Sequence, residues 1–554
     1  MESEGETEDF DLVIIPPEPD ALSDEDEIDE SVVALQVQDT GVDFDGNGTP
    51  DIPGTIQAMS SSTTDKTQAK KAANPKWRKG KPVYKSKPTS SPSLSTKQNV
   101  IDELDGIEAL DLFDKMAAAI VTKITEETNR YARQKNAPDF LMTEKEIKIF
   151  LGILLFSGYH KLPRQHMYWE TAADCNTEII RKAMSKNKFK KIKKYLHFND
   201  NDQIDNSDRY FKVRPLFDLL NETLLQFGIF EEQLTIDERM VKYFGRHGMK
   251  MYMKGKPVKF GYKIWVLSSF NGFPFYFLPY QPGQQGDSLL SSFVVEKLMG
   301  VVENPQCHPV YMDNFFTSYS LASLLQEKNI FFTGTIREQR IKNCPIASTK
   351  IMKKKGRGYS ESRFDEVTES AVVRWNDNRV VTVITNFENV SSSSEVTRRS
   401  AGGPINCAIP EAIKSYNKYK NGVDLFDGLM APYEIAIQGK KWYWPLFTNC
   451  INALVVSTWR LRKILKLENE DLLSFHRKVT LHLLSGPPKV HSRMEIQRRV
   501  WGGSAFVKAN SHVLIKNAGK KQRRCKVCPR KPTTSCLQCN IGLCAEPCFS
   551  AYHC

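Results

Sequence analysis

Three absences limit what this 554-residue chain can be. Residues 1–65 contain 19 aspartates and glutamates but no lysine or arginine. No basic segment leads into an apolar stretch near the N-terminus, which argues against a secretory signal, and no apolar run approaches the roughly 18 residues of a membrane span. We therefore expect a soluble intracellular protein with no membrane partner, in which cysteines stay reduced and more often bind metals than form disulfides.

The charge of the remaining chain is strongly one-sided. Residues 66–554 carry all 77 basic residues and 65 − 19 = 46 acidic ones, a formal charge of +31 that the overall +12 conceals. A body this basic repels itself, and its natural partner is a polyanion whose counterions it displaces. The composition favours a nucleic-acid partner over a merely basic protein.

Residues 1–103 are predicted to be disordered, first acidic ("SDEDEIDE") and then basic and rich in serine and proline. The basic linker is typical of a nuclear-import signal, a DNA tether or a simple solvated linker. From residue 104 apolar residues recur every three or four positions, which predicts helices, and "TEKE" predicts a capping box at the start of one of them.

From residue 233 the period falls to two, which predicts strands in "LTIDERMVKYFG", "FGYKIWVLSSF" and "FPFYFLPYQP". Alternating helices and strands follow, so we predict an α/β fold in which helices flank a mixed sheet. The predicted divisions are a helical region 104–230, a first catalytic part 231–338, a β-rich insertion 339–403, a second catalytic part 404–455, a second helical region 456–510 and a Cys-rich module 511–554.

Four aspartates occupy unexpected places in this pattern. Asp237 interrupts one apolar strand, and Asp313 ends another in "HPVYMDNFF". Asp424 and Asp427 are three residues apart, on one face of the first turn of a helix. If the two strands are neighbours, Asp237 and Asp313 lie side by side, and a packed helix can bring Asp424 to them. Taken singly, each has a structural explanation: an ion pair with Arg239 or a lysine, a turn, or a helix cap.

Converging carboxylates stay ionised together only if a cation neutralises them. Oxygen-rich sites suit Mg²⁺ or Mn²⁺, and two such ions roughly 3.5–4 Å apart promote in-line attack on phosphorus. This is the chemistry of nucleases, polymerases and transposases.

The C-terminal module predicts two zinc ions. Seven of the twelve cysteines lie in residues 525–554, with two CxxC pairs and a nearby histidine. Two tetrahedral ions need eight ligands, and His512 and Cys554 compete for the eighth place. The interleaved spacing suits a cross-brace, although the loops are too short for an ordinary RING ubiquitin ligase. The other seven predicted ligands are Cys525, Cys528, Cys536, Cys539, Cys544, Cys548 and His553.

Several separate blocks resemble piggyBac-type transposases and their domesticated relatives. They include "TIDERMVKYFGRHG", "GKPVKFGYKIW", "YMDNFF", "TGTIR" and "YNKYKNGVDLFD", and the resemblance extends from about residue 100 to the end. It implies an RNase H-like catalytic domain with a β-rich insertion, surrounded by a helical dimerisation and DNA-binding region. It also implies that Asp237, Asp313 and Asp424 hold the metal ions, with Asp427 as an additional acidic position. The same resemblance favours His512 as the eighth zinc ligand.

The resemblance further implies a nuclear transposase that acts on double-stranded DNA as a homodimer or larger assembly. Its expected substrates are terminal inverted repeats, with joining into TTAA targets, and its C-terminal module is expected to bind the element ends. The alternative is a domesticated protein that binds DNA or chromatin without cleaving it. Six basic residues are candidate DNA contacts: Lys254, Lys256, Lys259, Arg337, Lys440 and Lys441.

Overall fold

The computed structural model shows two compact units, residues 1–485 and residues 486–554. It describes residues 11–15, 55–59, 74–89, 93–104, 106–230, 232–254, 256–285, 289–391, 394–400, 403–466, 470–485, 508–509, 512–517, 522–545 and 548–553. Cys554, most of the acidic N-terminal block and the stretch 486–507 lie outside this description. None of the described helices is both long and apolar enough to cross a bilayer.

Fourteen helices of the described residues are labelled in chain order. They are α1 Ser93–Leu104, α2 Ala109–Gln134, α3 Glu144–Tyr159, α4 Glu178–Ala183, α5 Lys186–Tyr195, α6 Arg214–Phe227, α7 Leu290–Met299, α8 Tyr319–Glu327, α9 Thr349–Lys353, α10 Glu411–Tyr419, α11 Gly422–Met430, α12 Trp444–Ile464, α13 Leu472–Ser485 and α14 Cys548–His553.

The described strands are labelled in the same way. They are β1 Asp11–Ile15, β2 Thr55–Met59, β3 Trp77–Arg78, β4 Leu234–Lys242, β5 Met251–Tyr252, β6 Phe260–Ser269, β7 Pro274–Pro279, β8 Val310–Met312, β9 Phe332–Thr335, β10 Ser360–Asp365, β11 Ser370–Asn376, β12 Val380–Thr385, β13 Ser394–Ser400, β14 Gly403–Ile409, β15 Lys508–Ala509, β16 His512–Lys516 and β17 Thr534–Cys536.

A ten-stranded mixed sheet organises the larger unit, in the order β3-β10-β11-β12-β9-β8-β4-β6-β5, with β7 also paired to β6. The pairs β4–β8 and β8–β9 are parallel, and the other pairs of this sheet are antiparallel. The two predicted strands that carry Asp237 and Asp313 are therefore neighbours, as the sequence analysis required. The antiparallel pairs β1–β2 and β13–β14 form separate two-stranded sheets.

Helices pack against this sheet around a large hydrophobic core, and a second, smaller cluster lies beneath α10. On α2, Leu112, Met116, Ile120 and Ile124 recur every four residues and are all buried, which is the pattern that an amphipathic helix requires. The predicted capping box of α3 is confirmed: the Thr143 side chain accepts the N–H of Glu146, and the Glu146 side chain accepts the N–H of Thr143.

Two of the predicted divisions depart from the structure. The predicted insertion 339–403 contains β10, β11 and β12, yet these strands join the central sheet through β12 and β9 rather than forming a sheet of their own. The predicted boundary at residue 455 falls inside α12, which is one continuous helix that is buried along most of its length. The remaining divisions stay predictions.

Residues 74–89, here called the N-terminal strap, correct the disorder predicted for this part of 1–103. Strand β3 pairs with β10 and thereby covers an edge of the central sheet. The Trp77 indole N–H donates to the Lys342 carbonyl oxygen at 2.9 Å, and the Tyr84 hydroxyl donates to the Glu388 carbonyl oxygen at 2.7 Å. The average composition of about a hundred residues does not reveal that Trp77 and Tyr84 hold this short segment in place.

The C-terminal unit is small and has its own core. Strand β16 pairs with β17, and Leu514, Leu543 and Phe549 pack among the buried cysteines. A core of this size is too small to stabilise a fold without crosslinks or metal.

Helix α11 approaches the sheet so closely that only glycine fits at its first position. A Cβ added at Gly422 would lie 2.2 Å from the Ser269 carbonyl oxygen and 2.7 Å from the Thr235 hydroxyl oxygen. A Cβ at Gly428, in the same helix, would meet nothing within 4 Å. Gly422 therefore fixes the distance between α11 and strands β4 and β6.

We predict opposite effects of alanine at these two glycines. Gly422→Ala should lower the free energy of unfolding by about 1–3 kcal/mol, because the new methyl group forces the helix from the sheet. Gly428→Ala should raise it by up to about 1 kcal/mol, because alanine is the better helix former. Urea denaturation of both variants measures this, and equal stabilities would contradict the close contact.

Candidate active site and metal centres

The candidate active site lies where the short strand β8 ends beside β4. In the parallel ladder Ile236 pairs with Met312, so Asp237 and Asp313 are the next residue on each strand. Strand β8 is only three residues long, and beyond it this edge of β4 has no neighbouring strand. The carboxyl ends of neighbouring parallel strands are where open α/β sheets place their ligands.

Beyond the end of β8, side chains form hydrogen bonds with the backbone groups of β4 that no described strand pairs with. The Asp237 Oδ1 atom accepts the N–H of Glu238 at 2.7 Å, and the Lys256 ammonium donates to the Glu238 carbonyl oxygen at 3.3 Å. The Asp313 Oδ1 atom accepts the N–H of Phe315 at 2.8 Å, so Asp313 is also the turn residue that the structural alternative proposed. Both aspartates therefore stabilise the local backbone, and each has a second carboxylate oxygen left.

Helix α11 brings the remaining two aspartates to this edge of the sheet. Asp427 forms an ion pair with Arg239 of β4: the Arg239 Nε atom lies 3.0 Å from the Asp427 Oδ1 atom. Asp424 is in the first turn of the same helix and is exposed. The structure therefore does not contain an Asp237–Arg239 ion pair. Arg239 pairs with Asp427 instead, so its positive charge does not balance Asp237.

The pKa values of Asp237 and Asp313 are raised, mainly because both side chains are buried. Burial raises the pKa of Asp237 to about 8, reinforced by the charges of Glu238 and Asp313 and opposed by Lys256. Burial and the charge of Glu238 likewise raise the pKa of Asp313. The surrounding cations do not neutralise these carboxylates fully, and this is the electrostatic condition under which a cation binds.

One tyrosine of α10 lies within the field of all three candidate ligands. The pKa of Tyr416 is raised by burial and then by the charges of Asp313, Asp237 and Asp424, while a hydrogen bond with Thr335 opposes the shift. The Tyr416 hydroxyl oxygen lies 3.3 Å from the Thr335 hydroxyl oxygen. The charges of all three aspartates therefore act on one tyrosine, although the aspartates come from different elements.

The three carboxylates do not form a tight cage. Among the described residues, two groups of three or more candidate ligands have all their donor atoms within 4.8 Å of one another, and both groups lie in the C-terminal unit. Burial, rather than close mutual contact, is the main cause of the raised pKa values of Asp237 and Asp313. A shared divalent cation would have to draw them together.

The six candidate DNA contacts fall into different environments. Lys254, Lys259 and Lys440 are exposed. Lys441 donates to the carbonyl oxygens of Lys194 and Leu196, each at 2.9 Å, so it braces the end of α5. These positions stay predicted contacts.

The other two candidates contact the site itself. Lys256 lies against the carboxylates of Asp237 and Glu238. The Arg337 side chain is 3.4 Å from the amide oxygen of Asn314, next to Asp313. Their role as DNA contacts also stays a prediction.

Sequence reasoning overlooked Glu238 and Tyr416. Glu238 directly follows Asp237 in a strand of otherwise buried residues, and two adjacent acids in such a strand are a signal that both need partners. Tyr416 carries no signal of this kind, because its position depends on how α10 lies across β9.

The C-terminal unit contains two groups of four metal-ligand residues. One consists of Cys525, Cys528, Cys544 and Cys548, and the other of His512, Cys536, Cys539 and His553. The two groups alternate along the chain, which is the predicted cross-brace arrangement. His512 lies in the second group, with its Nδ1 3.2 Å from the Cys539 sulfur, while its rival Cys554 lies outside the described residues, so the eighth ligand stays a prediction.

The chemistry of these donors fits a soft, tetrahedral cation. All eight are thiol sulfurs or imidazole nitrogens, the ligands that structural zinc sites use. Burial acts to raise the pKa of Cys525, but backbone N–H groups of Val527, Cys528 and Cys544 outweigh it and lower the pKa to about 6. The fold thus favours the thiolate form of Cys525, and both clusters have ligand types that could hold a metal ion.

A family profile and curated relatives match this chain over most of its length. The profile, described as Transposase IS4, matches residues 110–459. PiggyBac transposable element-derived protein 3 of Homo sapiens is 34% identical over 457 residues, covering 80% of this chain and 76% of the relative. PiggyBac transposable element-derived protein 2 of Homo sapiens is 32% identical over 462 residues, covering 81% and 76%.

A solved structure shares the fold. The cryo-EM structure of a piggyBac transposase synaptic complex with hairpin DNA has a TM-score of 0.59 and 21% sequence identity. The match covers 80% of this chain and 96% of the other. The mixed sheet and the helices around it are therefore an architecture that a piggyBac transposase also has.

The raised pKa of Asp237 predicts how stability depends on pH. The folded state keeps the Asp237 proton up to about pH 8, whereas an unfolded aspartate releases it near its ordinary value of 3.8. The free energy of unfolding therefore falls as pH rises through this window. Asp237→Asn, which never ionises, should be more stable than the unchanged protein by about 1–2 kcal/mol at high pH and nearly equal to it at low pH.

Chemical denaturation at about pH 5 and about pH 8 measures this difference, with zinc present and no added Mg²⁺ or Mn²⁺. The exposed Asp139→Asn is the control for losing a carboxylate elsewhere. A difference between Asp237→Asn and the unchanged protein that stays constant with pH would contradict the shifted titration.

Proposed function

Because the chain belongs to the piggyBac-type branch of the IS4 transposase family, we propose that it is a cut-and-paste DNA transposase. The observation that supports this proposal is that Asp237 and Asp313 directly follow the last residue pair of the parallel β4–β8 ladder, while Asp424 lies in the first turn of α11, which packs against the same strand. All three acids are present, and the raised pKa values of Asp237 and Asp313 agree with a cation-binding role. We assign the central sheet to an RNase H-like catalytic domain.

In this proposal Asp237, Asp313 and Asp424 hold two Mg²⁺ or Mn²⁺ ions. The bound ions would activate the attacking water or 3′-hydroxyl and stabilise the leaving oxygen. Gly422 sets the depth at which α11 presents Asp424 to the sheet. Asp427 is the additional acidic residue of the proposed site, and its pairing with Arg239 gives it a positioning role, because the pair ties α11 to β4.

The proposed substrate is double-stranded DNA with terminal inverted repeats, joined into TTAA sites by a homodimer or larger assembly in the nucleus. The formal charge of +31 on residues 66–554 supports a polyanionic partner. The solved relative with the same fold is described as a complex with hairpin DNA. Lys254, Lys259, Arg337 and Lys440 are proposed to bind phosphates.

The Cys- and His-rich unit is proposed to bind two Zn²⁺ ions and the element ends. The Cys₄ and Cys₂His₂ sets have the donor types of structural zinc sites, and the unit has little other core. The basic residues just before Cys525 would then lie beside a rigid module.

A second candidate function is DNA or chromatin binding without cleavage. The names of both human relatives describe them as derived from transposable elements, which favours this alternative. It predicts the same DNA affinity and the same zinc content, but no metal-dependent strand cleavage. The two candidates therefore differ in one measurable reaction.

A nicking assay separates them. The substrate is DNA carrying the inverted repeats that flank the gene in its genome, with Mg²⁺ or Mn²⁺. The unchanged protein should nick the repeat ends, and Asp313→Asn should reduce the rate at least about a hundredfold, because the metal ions supply several kcal/mol of transition-state stabilisation. Binding to the same DNA, measured by gel shift, should be nearly unchanged.

The exposed Asp139→Asn serves as the control and should nick normally. Equal nicking by the unchanged protein and Asp313→Asn would refute a catalytic role for Asp313. Binding by both without nicking by either would favour the second candidate function.

Zinc content tests the assignment of the eighth ligand. The unchanged protein should contain two zinc ions per chain, and His512→Ala should contain about one, because it loses one of four ligands from one site. Cys554→Ser, which removes the rival ligand, should still contain two. Elemental analysis of the purified proteins measures this, and zinc loss from Cys554→Ser but not from His512→Ala would reverse the assignment.

A further inference from the structure

Lys256 lies where a metal ion would be expected to lie. Its ammonium nitrogen is 2.9 Å from Glu238 Oε1, 3.9 Å from Asp237 Oδ1 and 3.3 Å from the Glu238 carbonyl oxygen. The charge of Asp424 also acts on it. A single flexible lysine therefore contacts two carboxylates and one carbonyl at the open edge of β4.

Glu238 is the most buried carboxylate of this group. Its side chain is only 8% exposed, compared with 16% for Asp237. One oxygen, Oε1, pairs with Lys256, while the other, Oε2, is buried and has no hydrogen-bond partner. Leaving a buried carboxylate oxygen unpaired is costly, and such an atom marks a place for a further ligand.

Glu238 also acts on both neighbouring aspartates. Its charge is the largest electrostatic contribution to the raised pKa of Asp237 and of Asp313, after burial itself. Burial opposes ionisation of Glu238, but Lys263 and Lys256 outweigh it and lower its pKa. Glu238 is thus a stably charged member of the site rather than a neutral neighbour.

Lys256 and Lys263 both act on Glu238, but each ammonium group carries a single charge. A divalent cation has twice the charge and prefers carboxylate oxygens. Lys256 is half-buried on a long stem, and it follows a turn rather than lying within a strand, so it can withdraw without unfolding the sheet. The lysine and the metal would compete for the same oxygens.

We propose that Lys256 is a built-in counter-ion which a divalent cation displaces, and that Glu238 is a fourth carboxylate of the cation site. This inference rests on the proposed function, since it concerns the same site. It assigns Lys256 to the control of metal affinity rather than to a simple phosphate contact. In the absence of metal the lysine stabilises the acidic edge, and in its presence the freed Glu238 oxygens face the cation.

The test is Mn²⁺ binding to the full, zinc-loaded chain without DNA, measured by calorimetry and by the electron paramagnetic resonance signal of free Mn²⁺. Lys256→Met should bind Mn²⁺ about tenfold more tightly, because the competing charge is gone. Lys256→Arg keeps the charge and should stay within about twofold of the unchanged protein. Lys242→Met, at an exposed position at the end of the strand that carries Glu238, is the matched control and should bind normally.

Glu238→Gln should bind Mn²⁺ about tenfold more weakly. In the double variant Glu238→Gln with Lys256→Met, the gain from removing Lys256 should be smaller, since the two side chains act on each other. Melting temperatures establish that each variant is folded. Lys256→Gln replaces Lys256→Met, with the same expectation, if the methionine variant does not fold.

The outcomes separate this inference from the proposed function. Loss of Mn²⁺ binding in Asp313→Asn together with tighter binding in Lys256→Met supports both. Loss in Asp313→Asn with unchanged or weaker binding in Lys256→Met overturns the displacement but leaves the active site in place. No Mn²⁺ binding by the unchanged protein overturns both.

Discussion

The parallel pairing of β4 with the three-residue strand β8 is the constraint on which the candidate site depends. It fixes Asp237 and Asp313 one step beyond the last paired residues of two neighbouring strands. A longer β8 would pair with the edge of β4 and bury Asp313 within the ladder, where an unpaired carboxylate is costly. Because β8 is short, no described strand pairs with this edge of β4 beyond Ile236, and the edge has acidic side chains and room for a ligand.

The second requirement is charge balance. The site concentrates carboxylates from β4, β8 and α11, and the cations that face them are held in specific ways. Arg239 forms an ion pair with Asp427. The Lys263 ammonium makes a cation–π contact, 3.8 Å from the centre of the Trp265 ring. What remains is a local excess of negative charge that raises pKa values and costs folding free energy. Stability is thus lower at the very place where the proposed chemistry requires affinity for cations.

Much of this arrangement could be predicted from the sequence. Asp237 and Asp313 stand out because each breaks an apolar strand, and their adjacency follows once the strands are neighbours. Seven of the eight Cys and His candidates follow from local spacing, whereas spacing left the eighth open between His512 and Cys554. Local sequence patterns are sufficient to predict a site when its ligands are close in sequence, or when a charged residue interrupts an apolar strand.

The rest depends on long-range packing that no short pattern encodes. Glu238 belongs to the site only because β8 ends one residue earlier, and Tyr416 only because α10 lies beside β9. The predicted insertion extends the central sheet because β12 pairs with β9, a choice of partner that alternation of apolar residues does not specify. For the same reason the sequence left open whether Asp237 faces Arg239 or a lysine. In the structure Arg239 pairs with Asp427, and Lys256 lies near Asp237.

The N-terminal strap has a consequence for the integrity of the sheet. Strand β3 supplies hydrogen bonds to β10 at one margin of the ten-stranded sheet, and the Trp77 indole and Tyr84 hydroxyl fasten the strap on either side of this pairing. A shortened chain that begins after residue 89 would present β10 as a bare border strand, which invites intermolecular sheet extension and precipitation. Fragments made for structural work should therefore begin before Lys76, even though the family resemblance starts only near residue 100.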